Sequence, residues 1–211
     1  MTRILSEATE EYLETVRPPA DDLVEEMEAH AEADRIPIAS RDVATLQAGL
    51  ARATDADRGL EFGTAIGYST LHVARTGCEV VTMEVDEERI AAAREYLDRG
   101  GVADRVRIHE APALKVLPDL EGPFDVVFLD AVKTEYDDYL DGVLPMMPSG
   151  GMVVVDNMLW HGSVPEAVRT GEADDESTAA LVEFNRAFVN HEDLQAVVTP
   201  LADGTGIGVK K

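Results

Sequence analysis

Four polar side chains follow two apolar segments of this 211-residue chain, and their types suit metal-assisted chemistry. Asp130 and Lys133 follow "VVFL", whereas Asp156 and Asn157 follow "MVVV". If these segments are neighbouring parallel strands, their carboxyl ends bring two carboxylates and one amide to one point. Oxygen ligands without His or Cys suit Mg²⁺ or another hard divalent cation better than zinc. Lys133, one of only four lysines, is a candidate proton acceptor beside such a cation.

Each of these residues also has a purely local explanation. Asp156 and Asn157 commonly form turns, and Asp156 could cap a following helix. Lys133 equally suits a solvated loop. Asp130 favours the metal interpretation, because it adds a third oxygen ligand at the end of the neighbouring segment.

A glycine turn in "LEFGTAIGYS" (60–69) predicts a second ligand-binding feature. Gly63 and Gly67 allow a tight backbone turn before a helix whose N–H groups are free, although they also suit plain strand–helix packing. Glu84 lies 21 residues after Gly63 (84 − 63), a spacing typical of a carboxylate that binds ribose hydroxyls. The G-x-G-x-x-G triplet is absent, and Glu61 favours a cationic ligand over a diphosphate. An NAD(P)-dependent oxidoreductase is the rival enzyme class, and it leaves the oxygen ligands unexplained.

The elements that must position these residues alternate along the chain. Apolar segments predict seven strands, and periodic patterns predict helices between them. Such alternation is typical of an α/β fold with a mostly parallel sheet and helices on both faces, here closed by an antiparallel C-terminal hairpin at Asp203-Gly204. The predicted strands are 58–63, 79–85, 105–111, 124–130, 151–156, 194–201 and 206–211, and the predicted helices are 4–16, 20–34, 43–53, 68–76, 87–100, 135–146 and 177–190.

Composition limits the remaining function classes. A net charge of −24, from 42 acidic against 18 basic residues, argues against a basic nucleic-acid-binding face and suggests adaptation to concentrated salt. No membrane span or signal-peptide core is apparent, so a cytoplasmic protein is expected. The single cysteine, Cys78, excludes an intrachain disulfide and a cysteine-cluster metal site.

Several motifs in order resemble the small cation-dependent O-methyltransferases, the family of catechol and caffeoyl-CoA O-methyltransferases. The resemblance runs from about residue 36 to the C-terminus. It implies a Rossmann-like class I methyltransferase of one domain (1–211), with an N-terminal helical extension (1–35) before a core (36–211) that binds S-adenosylmethionine. The matching motifs are "LEFGTAIGYSTL", "VVTMEVDEERIAAA", "FDVVFLDAVKTEY", "GGMVVVDNMLWHGSV", and "FNRAF" with "DGTGIGVKK".

The resemblance also implies residue roles. Lys133 and Asp130 match catalytic positions, and Mg²⁺ would be bound by Asp130, Asp156 and Asn157. Glu84 would hold the ribose of the cofactor, and Ala113 would lie beside its adenine. The full set implied to contact S-adenosylmethionine is Ile38, Glu61, Gly63, Gly67, Tyr68, Ser69, Glu84, Val85, Ala113 and Asp130.

The methyl acceptor is expected to be a small hydroxylated molecule, with a catechol-like phenol favoured and a hydroxylated uridine of tRNA as the alternative. Val132 departs from the acid that many relatives carry there, which affects the polarity of the acceptor site. Trp160 is a candidate aromatic wall or a packing residue, and His161 a candidate donor or a structural loop residue. A homodimer is expected, because the family usually dimerises.

Overall fold

The computed structural model describes residues 6–211, and two residues of the predicted helix 4–16, positions 4 and 5, lie outside them. Within that range the strands are β1 Arg58–Phe62, β2 Glu79–Glu84, β3 Val106–Glu110, β4 Val126–Leu129, β5 Met152–Val155, β6 Leu194–Thr199 and β7 Thr205–Lys210. The α-helices are α1 Glu7–Val16, α2 Asp22–Asp34, α3 Arg41–Ala53, α4 Tyr68–Ala74, α5 Glu87–Arg99, α6 Ala113–Val116, α7 Tyr136–Val143, α8 Ser163–Thr170 and α9 Glu176–Val189.

The seven strands form one sheet in the order β3-β2-β1-β4-β5-β7-β6. Strands β1 to β5 pair in parallel, whereas β7 runs antiparallel to both β5 and β6. This confirms the predicted mostly parallel sheet with an antiparallel C-terminal hairpin. Because β4 and β5 are direct neighbours, the residues that follow them meet at one edge of the sheet.

Helices cover both faces of the sheet because successive strand residues point to opposite sides. In β4, Val127 and Leu129 join an apolar cluster with residues of α7 and α9. Val126 packs with residues of α2 to α5 on the other face, and Phe128 packs there against α3. The fully apolar sequence of β4 follows from this burial on both faces.

The N-terminal helices begin at side-chain caps and pack onto the core. Ser6, Asp21 and Ser40 each accept a hydrogen bond from the backbone N–H three residues later, which satisfies free donors at each helix start. Helix α2 buries Val24 and Met27 within the cluster formed with α4 and α5. Helix α2 therefore contributes to the hydrophobic core on one face of the sheet.

Two details differ from the sequence predictions. The β6–β7 connection spans residues 200–204, whereas the predicted strands 194–201 and 206–211 leave residues 202–205, and Ala202 and Gly204 adopt positive φ on either side of Asp203. Helix α8 and the one-turn helix α6 were not predicted, since each is short. No helix within residues 6–211 is long and apolar enough to cross a lipid bilayer.

Candidate active site

A cavity of about 560 Å³ opens at the edge of the sheet where β1, β2 and β4 end. Its walls come from the segments that follow these strands, from those that follow β3 and β5, and from the segment before α3. Most of the residues predicted to contact a cofactor line it, namely Ile38, Gly63, Tyr68, Ser69, Glu84, Val85, Ala113 and Asp130. A cavity of this size and position suits a small-molecule ligand.

Gly63 allows the turn after β1 to approach the end of β4. Its φ of +96° is in the left-handed region, and a Cβ atom there would lie 2.2 Å from the backbone oxygen of Asp130. Gly67 also has a positive φ but does not line the cavity; it packs against Ala93 and Leu97 of α5. Gly63 therefore allows two backbone segments to approach closely at the cavity, whereas Gly67 allows the start of α4 to pack against α5.

Glu84 joins the glycine turn to the end of β2. Its Oε2 atom accepts from the backbone N–H of Ala65 at 2.9 Å, and Oε1 accepts from those of Val85 and Asp86 at 2.8 and 3.1 Å. A carboxylate offers about four acceptor positions. The donors within residues 6–211 thus leave one position for a donor in the cavity, such as a hydroxyl group.

Glu61 lies beneath the cavity wall and not on it. It is fully buried and accepts hydrogen bonds from Ser69 at 2.5 Å, from Thr82 at 2.8 Å and from Thr70. Burial, partly offset by these donors, raises the pKa of Glu61 to about 7. Ser69 does line the cavity, so its hydrogen bond connects Glu61 to the cavity wall.

Lys133 bridges two of the three oxygen ligands predicted at the ends of β4 and β5. Its ammonium donates to Asp130 Oδ1 at 2.9 Å, to Asn157 Oδ1 at 2.7 Å and to the Tyr136 hydroxyl at 2.6 Å. Asp156 lies next to this group, almost fully buried. Burial and the charge of Asp130 raise the pKa of Asp156 above its ordinary value.

The structure also shows the local turn considered for Asp156 and Asn157. Asp156 Oδ1 accepts from the backbone N–H of Asn157 at 2.7 Å, and Asn157 has a φ of +59°. No group of three or more His, Cys, Asp or Glu side chains within residues 6–211 is arranged to hold a metal ion. The cluster instead has two carboxylates and the amide of Asn157.

Trp160 and His161 occupy the loop after Asn157. Trp160 lines the cavity, with its ring centroid 5.6 Å from Lys133 Nζ, and its ring stacks on His161. His161 is more than half exposed and lies against Asp203. Trp160 is therefore a wall of the cavity, whereas His161 faces the loop between β6 and β7.

Three residues at or around the cavity were not found from the sequence. Glu28 accepts from the Tyr68 hydroxyl, 40 positions away, and pairs with Arg41 at the start of α3. Asp203, noticed only as a turn residue, contacts Asn157 and His161. No local pattern marks contacts over such separations.

The family model described as O-methyltransferase matches residues 16–211. The chain belongs to the O-methyltransferase family. A catechol O-methyltransferase of Niastella koreensis is 32% identical over 77% of this chain and 77% of its own length. The catechol O-methyltransferase of Mycobacterium tuberculosis is 38% identical over 70% of this chain and 66% of its own length.

Solved structures show the same architecture. An O-methyltransferase from Bacillus cereus in complex with SAH has a TM-score of 0.84 and 26% identity, and the match covers 97% of both chains. The predicted methyltransferase fold and the predicted enzyme class, an S-adenosylmethionine-dependent O-methyltransferase, are thereby confirmed. The family match also begins earlier than expected from the motifs, at residue 16 instead of about 36.

Proposed function

We propose that this O-methyltransferase is divalent-metal-dependent and methylates one hydroxyl of a small catechol-like molecule with two neighbouring oxygens. The observation that carries the proposal is the convergence of Asp130 Oδ1 and Asn157 Oδ1 on one positive charge, at 2.9 and 2.7 Å from the same nitrogen. These two acceptor oxygens, which bind the Lys133 ammonium, could bind a divalent cation in its place.

The residues present fit a hard cation. Two carboxylates and one amide oxygen are the ligand types that Mg²⁺ prefers. The buried carboxylate of Asp156, whose pKa is raised by burial and by Asp130, gains from a nearby positive charge. Lys133 and a divalent cation cannot occupy one point, so cation binding requires the Lys133 side chain to withdraw toward the cavity.

The same cavity would hold S-adenosylmethionine. Glu84, with its remaining acceptor position, would receive a ribose hydroxyl, and Ser69 and Tyr68 would lie beside the methionine part. Ile38, Val85 and Ala113 would flank the adenine. This arrangement is supported by the cavity lining and by the SAH complex of the Bacillus cereus protein, which has the same fold.

In the proposed reaction, the residues of the chain orient the acceptor and move its proton. Bound Mg²⁺ would supply Lewis-acid chemistry that lowers the pKa of an acceptor hydroxyl. Lys133 would take up the hydroxyl proton at Nζ after its own proton has passed to solvent. Asp130 and Asn157 would position the reacting hydroxyl, and the Trp160 ring would restrict the acceptor to an orientation flat against it. Such positioning can supply about 7–11 kcal/mol of the barrier reduction.

The cavity mouth supports a flat, weakly polar acceptor. Val132 lines the cavity and is 51% exposed, and the ring of Trp160 lies on the same cavity wall as Lys133. An aromatic ring buried between apolar groups gains from the hydrophobic effect. The tRNA alternative gains no such support, since the net charge of −24 repels phosphates.

A methyl-transfer assay with tritiated S-adenosylmethionine tests the proposal, with catechol, a caffeoyl ester and bulk tRNA as acceptors. Catechol should be methylated with Mg²⁺ present, and EDTA or the Asp130→Ala variant should abolish turnover. Thermal melting of that variant provides the control for folding. Undiminished turnover in EDTA and in the variant would contradict the metal assignment, and methylation of tRNA alone would contradict the acceptor.

A further inference from the structure

The side chain of Asp203, in the loop between β6 and β7, contacts the loop that contains Asn157 and Trp160. Its Oδ1 atom accepts from the backbone N–H of His161 at 2.6 Å. Its Oδ2 atom lies 3.4 Å from the His161 imidazole and accepts from Asn157 Nδ2 at 3.5 Å. The Asp203 side chain is only 15% exposed. One carboxylate therefore contacts both ends of the segment 157–161.

This segment needs such support because its backbone is strained. Asn157, Trp160 and His161 have φ values of +59°, +46° and +55°. Non-glycine residues keep these conformations only when surrounding contacts impose them. The backbone of the β6–β7 loop adds two contacts, since Leu159 donates to the carbonyl of Asp203 at 3.0 Å and Met158 donates to that of Gly204 at 2.9 Å.

The contact with Asp203 also sets which end of the Asn157 amide faces Lys133. An amide presents a donor at one end and an acceptor at the other, and its hydrogen-bond partners decide the orientation. Asp203, as a carboxylate, accepts only, so Nδ2 turns toward it. Oδ1 then points to the place where the Lys133 ammonium lies, at 2.7 Å.

We propose that Asp203 is a positioning residue that turns the Asn157 amide so that its oxygen serves as a ligand for a cation. The inference rests on the proposed metal dependence and names a residue outside the ligand set. Asp203 does not touch the cation point itself; it acts through Asn157.

The Asp203→Asn variant separates orientation from packing, because it keeps the size of the side chain and an oxygen for the His161 N–H. The new amide group can donate toward Asn157 and favours the reversed amide, with Nδ2 facing the cation point. Mg²⁺ affinity, measured by calorimetry, should fall about 10- to 100-fold, the range for a lost outer partner of a metal ligand. Asp193→Asn, which removes the same charge from an exposed position before β6, should bind Mg²⁺ like the unaltered protein.

A compensating variant completes the test. In Asn157→Asp combined with Asp203→Asn, the donor and the acceptor exchange places, so an oxygen again faces the cation point. Mg²⁺ affinity should return to within a few-fold of the original, and thermal melting should show all variants folded. Equal Mg²⁺ affinity in Asp203→Asn and Asp193→Asn, or no recovery in the double variant, would overturn the positioning role. A lack of Mg²⁺ binding by the unaltered protein would overturn the metal assignment and this inference with it.

Discussion

Replacing Gly63 by alanine should damage both the stability and the activity of the protein. Alanine in the left-handed region costs roughly 1–2 kcal/mol. The added Cβ atom would also lie 2.2 Å from the Asp130 oxygen, so reaching an ordinary contact of 3.4 Å requires a shift of 1.2 Å (3.4 − 2.2). Such crowding typically costs a further 1–3 kcal/mol or about 2–12 °C in Tm for a domain of this size.

Gly77→Ala provides a matched control, because Gly77 has a φ of +106° but no atom within 4 Å of its added Cβ. Gly77→Ala should lose only the roughly 1–2 kcal/mol of stability that the left-handed backbone conformation costs an alanine. Gly63→Ala should melt at a lower temperature than this control. Its rate of methyl transfer should also fall about 100-fold, because a displacement of about 1 Å at a reacting group has that effect. Scanning calorimetry and the tritium assay measure both quantities. Equal melting temperatures and equal turnover of the two variants would show that the close approach to Asp130 has no consequence.

Two further predictions concern charge. If the acidic composition reflects adaptation to salt, thermal melting should occur earlier in dilute buffer than in molar KCl, because the net charge of −24 is then unscreened; an unchanged Tm would contradict this. Burial raises the pKa of Glu61 from 4.5 to about 7, so the folded state holds a proton that the unfolded chain releases, and stability should fall as pH rises through this window. Between pH 4.5 and pH 8, the free energy of unfolding should fall by about 3 kcal/mol less in the Glu61→Gln variant than in the unaltered protein, as measured by urea titrations. An equal fall in both proteins would refute the raised pKa of Glu61.

Much of the sheet could be predicted from sequence because the strands are buried on both faces. Uninterrupted apolar runs such as 126–129 and 152–155, separated by periodic helices, leave few alternatives to parallel pairing. The predicted hairpin at Asp203-Gly204 is present, and its loop, 200–204, begins two residues before the predicted one, 202–205. Its conformation depends on Leu159, which lies directly against Gly204 from a distant part of the chain.

The site residues that could be predicted from the sequence are those at or just after the ends of strands. Glu84 is the last residue of β2, and Asp130 and Asn157 follow β4 and β5, so topology alone brings them to one edge. The Glu61 side chain lies below the cavity lining, and alternation along β1 does not tell which face holds the ligand, so its contact with the cofactor stays a prediction. The contacts of Glu28 with Tyr68 depend on the packing of α2, which no motif records.

The position of β7 between β5 and β6 has a consequence for synthesis on the ribosome. Strand β5 begins at Met152 and its antiparallel partner at Thr205, so 53 residues (205 − 152) must be added before that edge is covered. At ordinary elongation rates this takes roughly 3–10 s. During that interval a valine-rich edge lacks its neighbour and invites pairing with other nascent chains. The loop that contains Asn157 and Trp160 gains its contacts with Asp203 only after 46 further residues (203 − 157), so this end of the cavity is also completed late.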